Sequence, residues 1–220
     1  MSLSLIEQTR VFVKKELNRA EGGHDWFHIE RVWKNACKIL KTEPAADAEI
    51  VELGALLHDI ADSKFHGGNE QIGPEIAGMF LRKKGFPEAR VQKVLEIIRF
   101  ISFKGGKNQL AKPSLELQIV QDADRLDALG AIGIARTFHY GGFKNRKLYD
   151  PAIAPNLNMS REQYKNSEAP TLNHFYEKLL LLRDLMNTSA GRQMAEERHR
   201  FLELFLKQFL LEWDNGESLV

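Results

Sequence analysis

Apolar residues recur at intervals of three and four along almost the whole chain, and that spacing constrains the fold more than any other feature. In "DWFHIERVWKNACKILKT" the stripe runs Ile29, Val32, Trp33, Ala36, Ile39 and Leu40, one face of a helix that opens behind Asp25. "SLIEQTRVFVKKELNRAEGG" starts with Ser4 and, three residues on, Glu7, a capping-box pattern, and stops at Gly22-Gly23. Pro44 and Asp47 open a third helix that carries Leu57 and His58, "EIAGMFLRKKG" ends at Gly85, and Pro87 fits the first turn of "PEARVQKVLEIIRFISF". One long helix is expected over "LELQIVQDADRLDALGAIGIARTF". Two amphipathic helices close the chain, around "FYEKLLLLRDLM" and "RQMAEERHRFLELFLKQFLLEW". No run of alternating β-branched residues marks a strand. The expectation is an all-α fold, one domain over residues 1–220, with a long irregular stretch before the C-terminal helices.

The charge balance narrows the partners. With 31 basic against 30 acidic residues the net charge is +1, and no basic stripe of the kind a nucleic-acid binder carries dominates. The lone Cys37 excludes an internal disulfide and suits a reducing compartment. Glu7 interrupts the apolar start of the chain, and no apolar run approaches the roughly 20 residues of a membrane span. A cytoplasmic protein without a membrane or stable nucleic-acid partner is expected.

Against this pattern one pair of residues is out of place. Leu53, Gly54, Ala55, Leu56 and Leu57 read as buried, and His58 and Asp59 follow where aliphatic residues would continue the core. Burying two titratable groups is costly unless something pairs with them. Neighbours on a helix point about 100° apart, but imidazole reaches further than a short carboxylate, and a divalent ion would draw both to one point. Two other helices carry similar intrusions. His28 sits at the edge of the buried stripe of its helix, with His24 four residues earlier. Asp122, Asp124 and Asp127 interrupt a helix rich in Ala, Gly and Ile, although aspartate is a poor interior helix residue. Singly, each has an ordinary explanation: a core histidine bonded to a carbonyl, or aspartates at a cap or on the surface. Together they offer imidazole nitrogens and carboxylate oxygens from three helices, a mixed donor set that suits Mn²⁺, Fe²⁺, Co²⁺ or Mg²⁺ and permits four-coordinate Zn²⁺.

The order H…HD…D resembles that of the HD-domain superfamily of metal-dependent phosphohydrolases, whose fold is all-helical. In that family the last ligand lies in an A-D-x-L context. Here this is Ala123-Asp124-Arg125-Leu126, so the resemblance selects Asp124 over Asp122 and Asp127 and implies the metal set His28, His58, Asp59 and Asp124. "HDWFHIERV", "HDIADSKFH", "DADRLDALGAIGIARTF" and the C-terminal "KLLLLRDLMNT…EW" further resemble a bacterial subfamily of YpgQ type, over nearly the whole chain. This implies one divalent ion, manganese first with Mg, Fe, Co, Ni or Zn as alternatives, and hydrolysis of nucleoside triphosphates to monophosphate and pyrophosphate. Two-metal branches carry extra histidines between the HD pair and the last aspartate. That interval holds only His66 here, which favours a single ion.

Other residues are candidates around such a site. Asp62, four residues beyond His58, is placed to orient water or accept its proton, and Lys64 to pair with a polyphosphate. Arg31, His24, Asp127 and Lys104, which with Lys107 flanks a Gly-Gly turn, are further substrate-side candidates. Trp26 and Phe27 are candidates to stack a base. Residues 139–170, with Gly141-Gly142, three prolines and a basic patch at Lys144, Arg146 and Lys147, are expected to form a lid over a nucleotide substrate. The C-terminal amphipathic helices leave room for a homodimer. On the same site, a nucleoside monophosphate or alarmone phosphohydrolase, or a nucleotide sensor without turnover, are the competing readings.

Overall fold

The computed structural model describes residues 3–18, 25–61, 69, 71–101, 110, 112–160, 162–163 and 167–214. Among these the regular structure is entirely helical: α1 (Leu5–Glu16), α2 (Trp26–Leu40), α3 (Ala48–Leu57), α4 (Ile72–Lys83), α5 (Glu88–Phe100), α6 (Leu115–Asp127), α7 (Gly130–Phe143), α8 (Asn173–Glu177) and α9 (Ser189–Trp213), with 3₁₀ turns at Leu179–Leu181 and Arg183–Leu185. None of these helices is long and apolar enough to cross a membrane.

Short polar side chains set where the helices begin. The side-chain oxygens of Ser4, Asp25, Asp47, Ser114 and Thr188 accept hydrogen bonds from the N–H groups of Glu7, His28, Ile50, Leu117 and Gly191 at 3.0–3.3 Å. Each satisfies a donor the helix cannot, and losing such a cap typically costs about 1 kcal/mol. Glycine marks two ends. Gly85 follows α4 at φ 73°, in the left-handed region that suits a residue without Cβ. Gly130, at φ 69°, corrects the expectation of one long helix over "LELQIVQDADRLDALGAIGIARTF": the chain breaks after Asp127 and restarts as α7.

The core centres on α2, α3 and α6, which pack pairwise, with α1 and α5 against α3. Ile29, Val32, Ala36 and Ile39 of α2 meet Leu53, Leu56 and Leu57 of α3 and Leu117, Val120, Ala123 and Leu126 of α6, all buried completely. Burying each aliphatic side chain of this size contributes roughly 1.5–3 kcal/mol. A second cluster, continuous with the first, is aromatic: Phe138 of α7, Phe175 of α8 and Phe205 and Phe209 of α9 stack, tilt or meet edge-on at 5.6–6.2 Å between ring centroids.

Polar clips join these layers. Asn35 donates to the Ala123 carbonyl at 3.3 Å and accepts from Arg198 of α9 at 3.2 Å; Arg198 also donates to the Leu126 carbonyl. Asp122, with no exposed surface, accepts from the backbone N–H of Asn187 at 2.9 Å and from the N–H and hydroxyl of Thr188 at 2.7 and 2.8 Å. The N-terminus of α9 is thereby fastened to the middle of α6.

The stretch expected to form a lid, residues 139–170, packs against the helices that follow it. His139 and Tyr140 lie on α7. Beyond it, Thr171 and Leu172 donate to the carbonyls of Lys147 and Leu148, both at 2.9 Å, Asn173 donates to the Ile153 carbonyl, and Tyr149 packs edge-on against Phe209 and Trp213. These bonds tie the described part of residues 139–170 to the C-terminal helices.

Candidate metal centre

Three elements bring three side chains to one point. The cap at Asp25 starts α2 so that His28 sits in its first turn, on the buried face with Ile29 and Val32. His58 is the first residue past the end of α3, and Asp124 lies in the last turns of α6. His28 and His58 are buried, whereas the Asp124 side chain keeps 32 % of its surface exposed. One ligand atom from each of the three lies within 4.8 Å of the others. The two Nε2 atoms are 3.3 Å apart, and Asp124 Oδ1 stands 3.6 Å from that of His28 and 3.8 Å from that of His58.

The far side of each ring decides what those atoms carry. His28 Nδ1 is 2.8 Å from Asp127 Oδ2, and His58 Nδ1 is 2.9 Å from the Ala55 carbonyl. A carbonyl can only accept, as can an ionised carboxylate, so each Nδ1 donates and a neutral ring then holds its lone pair on Nε2. Two imidazole lone pairs and a carboxylate oxygen therefore converge. Such a set repels itself and attracts a cation, and bonding of the second ring nitrogen to a carboxylate or carbonyl is how metal-ligating histidines are oriented. The donor set fits a divalent ion held by His28, His58 and Asp124.

Burial lowers the pKa of His28, partly opposed by its bond to Asp127 and reinforced by the nearby Arg136 charge, which favours the neutral, ligating form. Asp127 answers for more than one partner. Burial alone would raise its pKa, but hydrogen bonds from His28 and Arg31, with the Arg136 charge, hold it well below the usual carboxylate range. Arg31 donates to it at 2.6 and 3.0 Å and Arg136 at 2.8 Å.

Several sequence expectations change accordingly. Asp127 was expected on the substrate side; its side chain is only 2 % exposed and stands behind His28, where it fixes the ring. Arg31, expected to meet phosphates, has its guanidinium engaged by Asp127. Of the three aspartates taken together as a sign of a cation, Asp122 and Asp127 are satisfied by protein donors, and only Asp124 faces the two histidines. Trp26 is a core residue with the Lys14 ammonium 4.8 Å above its ring, whereas Phe27 is 62 % exposed. Asp59 is half-buried beside His58 and lies outside the group of three. His24, Asp62, Lys64, Lys104 and Lys107 lie outside the described residues. Arg136 escaped the sequence reading, although a single arginine in the apolar run "GAIGIARTF" is the kind of intrusion that signals a buried partner.

Comparison with known proteins covers the whole of this architecture. The family model for the HD domain matches residues 26–129, which span α2 through α6 and hold all three residues of the cluster. The protein YpgQ of Bacillus subtilis is 38 % identical over 208 residues, covering 94 % of this chain and 92 % of that one. An HD-superfamily hydrolase from Bacillus thuringiensis superposes with a TM-score of 0.73 at 46 % identity, over 95 % of this chain and 96 % of its own. The structure of B. subtilis YpgQ in complex with ADP superposes with a TM-score of 0.71 at 35 % identity, over 93 % of this chain and 95 % of that one.

Proposed function

Since the chain belongs to the HD-domain superfamily of hydrolases, we propose that it is a divalent-metal-dependent hydrolase of nucleoside triphosphates, releasing nucleoside monophosphate and pyrophosphate. The observation that carries this reading is the convergence of His28 Nε2, His58 Nε2 and Asp124 Oδ1 within 4.8 Å, on rings whose other nitrogens are already engaged. A nucleotide is the favoured substrate because a relative 35 % identical over most of this chain takes ADP in its solved complex.

His28, His58 and Asp124 would hold the ion, with Asp59 as the fourth ligand. Bound there, a divalent ion supplies charge against phosphoryl oxygens and lowers the pKa of water it carries, so that a nucleophile exists near neutral pH. The protein's own part is positioning. Asp127 and the Ala55 carbonyl fix both rings so that only Nε2 can face the ion, and the partial exposure of Asp124 leaves the cluster accessible from solvent. Asp62 orients the attacking water, and Lys64 pairs with the polyphosphate. In-line displacement at phosphorus asks little more of a protein than such placement and such charge. The family resemblance puts manganese first, and mixed nitrogen and oxygen donors would equally admit magnesium, iron, cobalt, nickel or zinc.

The test is a panel of nucleoside triphosphates with Mn²⁺, products resolved by phosphorus NMR, with Asp59→Ala alongside. Pyrophosphate and monophosphate from the wild type, absent in the variant, are the expected result. Orthophosphate alone would move the cleaved bond and make the protein a phosphatase. Binding without turnover would make it a sensor.

A further inference from the structure

The end of α7 builds a second polar site that shares no residue with the metal cluster. There the chain encloses a cleft of about 500 Å³, lined by Tyr140, Lys144, Arg146, Lys147, Ser167 and Glu168 among others. Small-molecule sites usually span roughly 300–1,000 Å³. Of these six residues three are cations and one is a carboxylate, in a chain whose net charge is only +1. The excess is therefore local.

Backbone geometry, more than side-chain reach, gathers the cations. Asn145 takes φ 53° after α7, Arg146 N–H bonds to the Gly141 carbonyl at 2.9 Å and Asn145 N–H to that of Gly142 at 3.0 Å. This is the Schellman closure of a helix C-terminus, and it turns Lys144, Arg146 and Lys147 around one corner. The Lys144 ammonium and the Arg146 guanidinium each stand 5.8 Å from the centre of the Tyr140 ring. Arg146 is half-buried and anchored by donating to the Ser167 carbonyl, and the Lys147 carbonyl accepts from Thr171 N–H at 2.9 Å. Lys147 meets Asp150 in an exposed ion pair at 2.8 Å, the kind of contact that opens readily to a more highly charged partner.

We infer that this cleft binds a phosphate-bearing anion at a site separate from the metal centre. A planar guanidinium offers two parallel donors to phosphate oxygens, two flanking ammonium groups add point charge, and the tyrosine ring offers a face to an aromatic base. The phosphate chemistry has two sources: free inorganic polyphosphate, and the tail of a nucleotide.

The experiment is calorimetric titration of the full chain in excess chelator, where no metal-dependent binding or turnover contributes. The titrants are inorganic tripolyphosphate and ATP; the proteins are wild type, the double variant Lys144→Gln/Lys147→Gln, and Tyr140→Ala. Saturable binding by the wild type that weakens about tenfold in the double variant and falls with added salt is expected. If Tyr140→Ala weakens ATP and leaves tripolyphosphate unchanged, the nucleotide is the ligand. If it weakens neither, the inorganic chain is. Absence of saturable binding, or equal binding by the double variant with an unaltered circular dichroism spectrum, overturns the inference. So does a rise in KM for triphosphate turnover in the double variant that matches its loss of binding, since the cleft would then be part of the substrate path. Binding that persists in His58→Ala while hydrolysis disappears separates the fate of this site from that of the catalytic reading.

Discussion

Asp122 and Asp124 stand two residues apart on α6, and the helix turns their side chains to nearly opposite sides. Asp122 meets donors: two backbone N–H groups, the Thr188 hydroxyl and the Asn187 amide, with Arg125 3.5 Å away. Asp124 meets acceptors, the Nε2 atoms of two histidines whose Nδ1 atoms are already committed. The same side chain on the same helix thus serves two ends. A buried carboxylate surrounded by donors joins elements together, because every lone pair it lost to water is replaced. A carboxylate beside other acceptors contributes little to the fold by itself and waits for positive charge. Stability and function are separated here by which partners each oxygen finds.

That separation can be broken from either side. The largest effect is expected at the acceptor cluster. His58→Ala should lower Mn²⁺-dependent triphosphate hydrolysis at least 10³-fold, roughly 4 kcal/mol in the barrier, and remove bound metal. The melting temperature of the metal-free protein should stay close to that of wild type, checked by calorimetry in chelator. Unchanged metal content would remove His58 from the site.

Asp122→Ala should do the reverse. It strands the donors of Asn187 and Thr188 and leaves the Arg125 charge without its carboxylate, a loss of about 3 kcal/mol in urea unfolding. Metal affinity of the protein that remains folded should hold. A variant as stable as wild type would show that the junction of α6 and α9 is carried by apolar packing instead.

Asp127→Asn lies between the two regions, since Asp127 both fixes a ligand and neutralises Arg31 and Arg136. Metal affinity should weaken about 10–100-fold while binding stoichiometry is retained, measured by competition with a chelating dye. Loss of stoichiometry would place Asp127 among the ligands themselves. The smallest effect is expected at the hinge between α6 and α7. Gly130→Ala should cost about 1 kcal/mol, because Gly130 sits at φ 69°, and its new Cβ would press on the Arg198 side chain at 3.2 Å. A neutral result would mean the break can relax toward an ordinary helical φ.

Much of this was legible in the chain. The spacing of Ile29, Val32, Ala36 and Ile39 specified the face of α2 that lies buried, and Ser4 and Asp25 marked where helices start, because helical periodicity and capping are local properties. His28 and His58 stood out since a polar residue on an apolar face is visible without knowing what faces it. Partner identity was not legible. Asp122, Asp124 and Asp127 look alike in a one-dimensional pattern, and the family-like A-D-x-L context singled out Asp124 without saying what the other two do. The donors that satisfy Asp122 come from 65 and 66 residues further along the chain, and those on Asp127 include Arg31, 96 residues earlier. Residues 139–170 are a similar case: composition marks an irregular segment, but only the fold brings Tyr149 of that segment against Phe209 and Trp213.

By itself the sequence determined that the protein is helical, which faces are apolar, and that histidine and aspartate intrude on three of them. The tertiary structure alone decided what Asp122 and Asp127 hold together and which ring nitrogens are free to bind. Those are questions of where donors and acceptors from distant parts of the chain come to lie, and a buried polar atom takes its role from its neighbours in space.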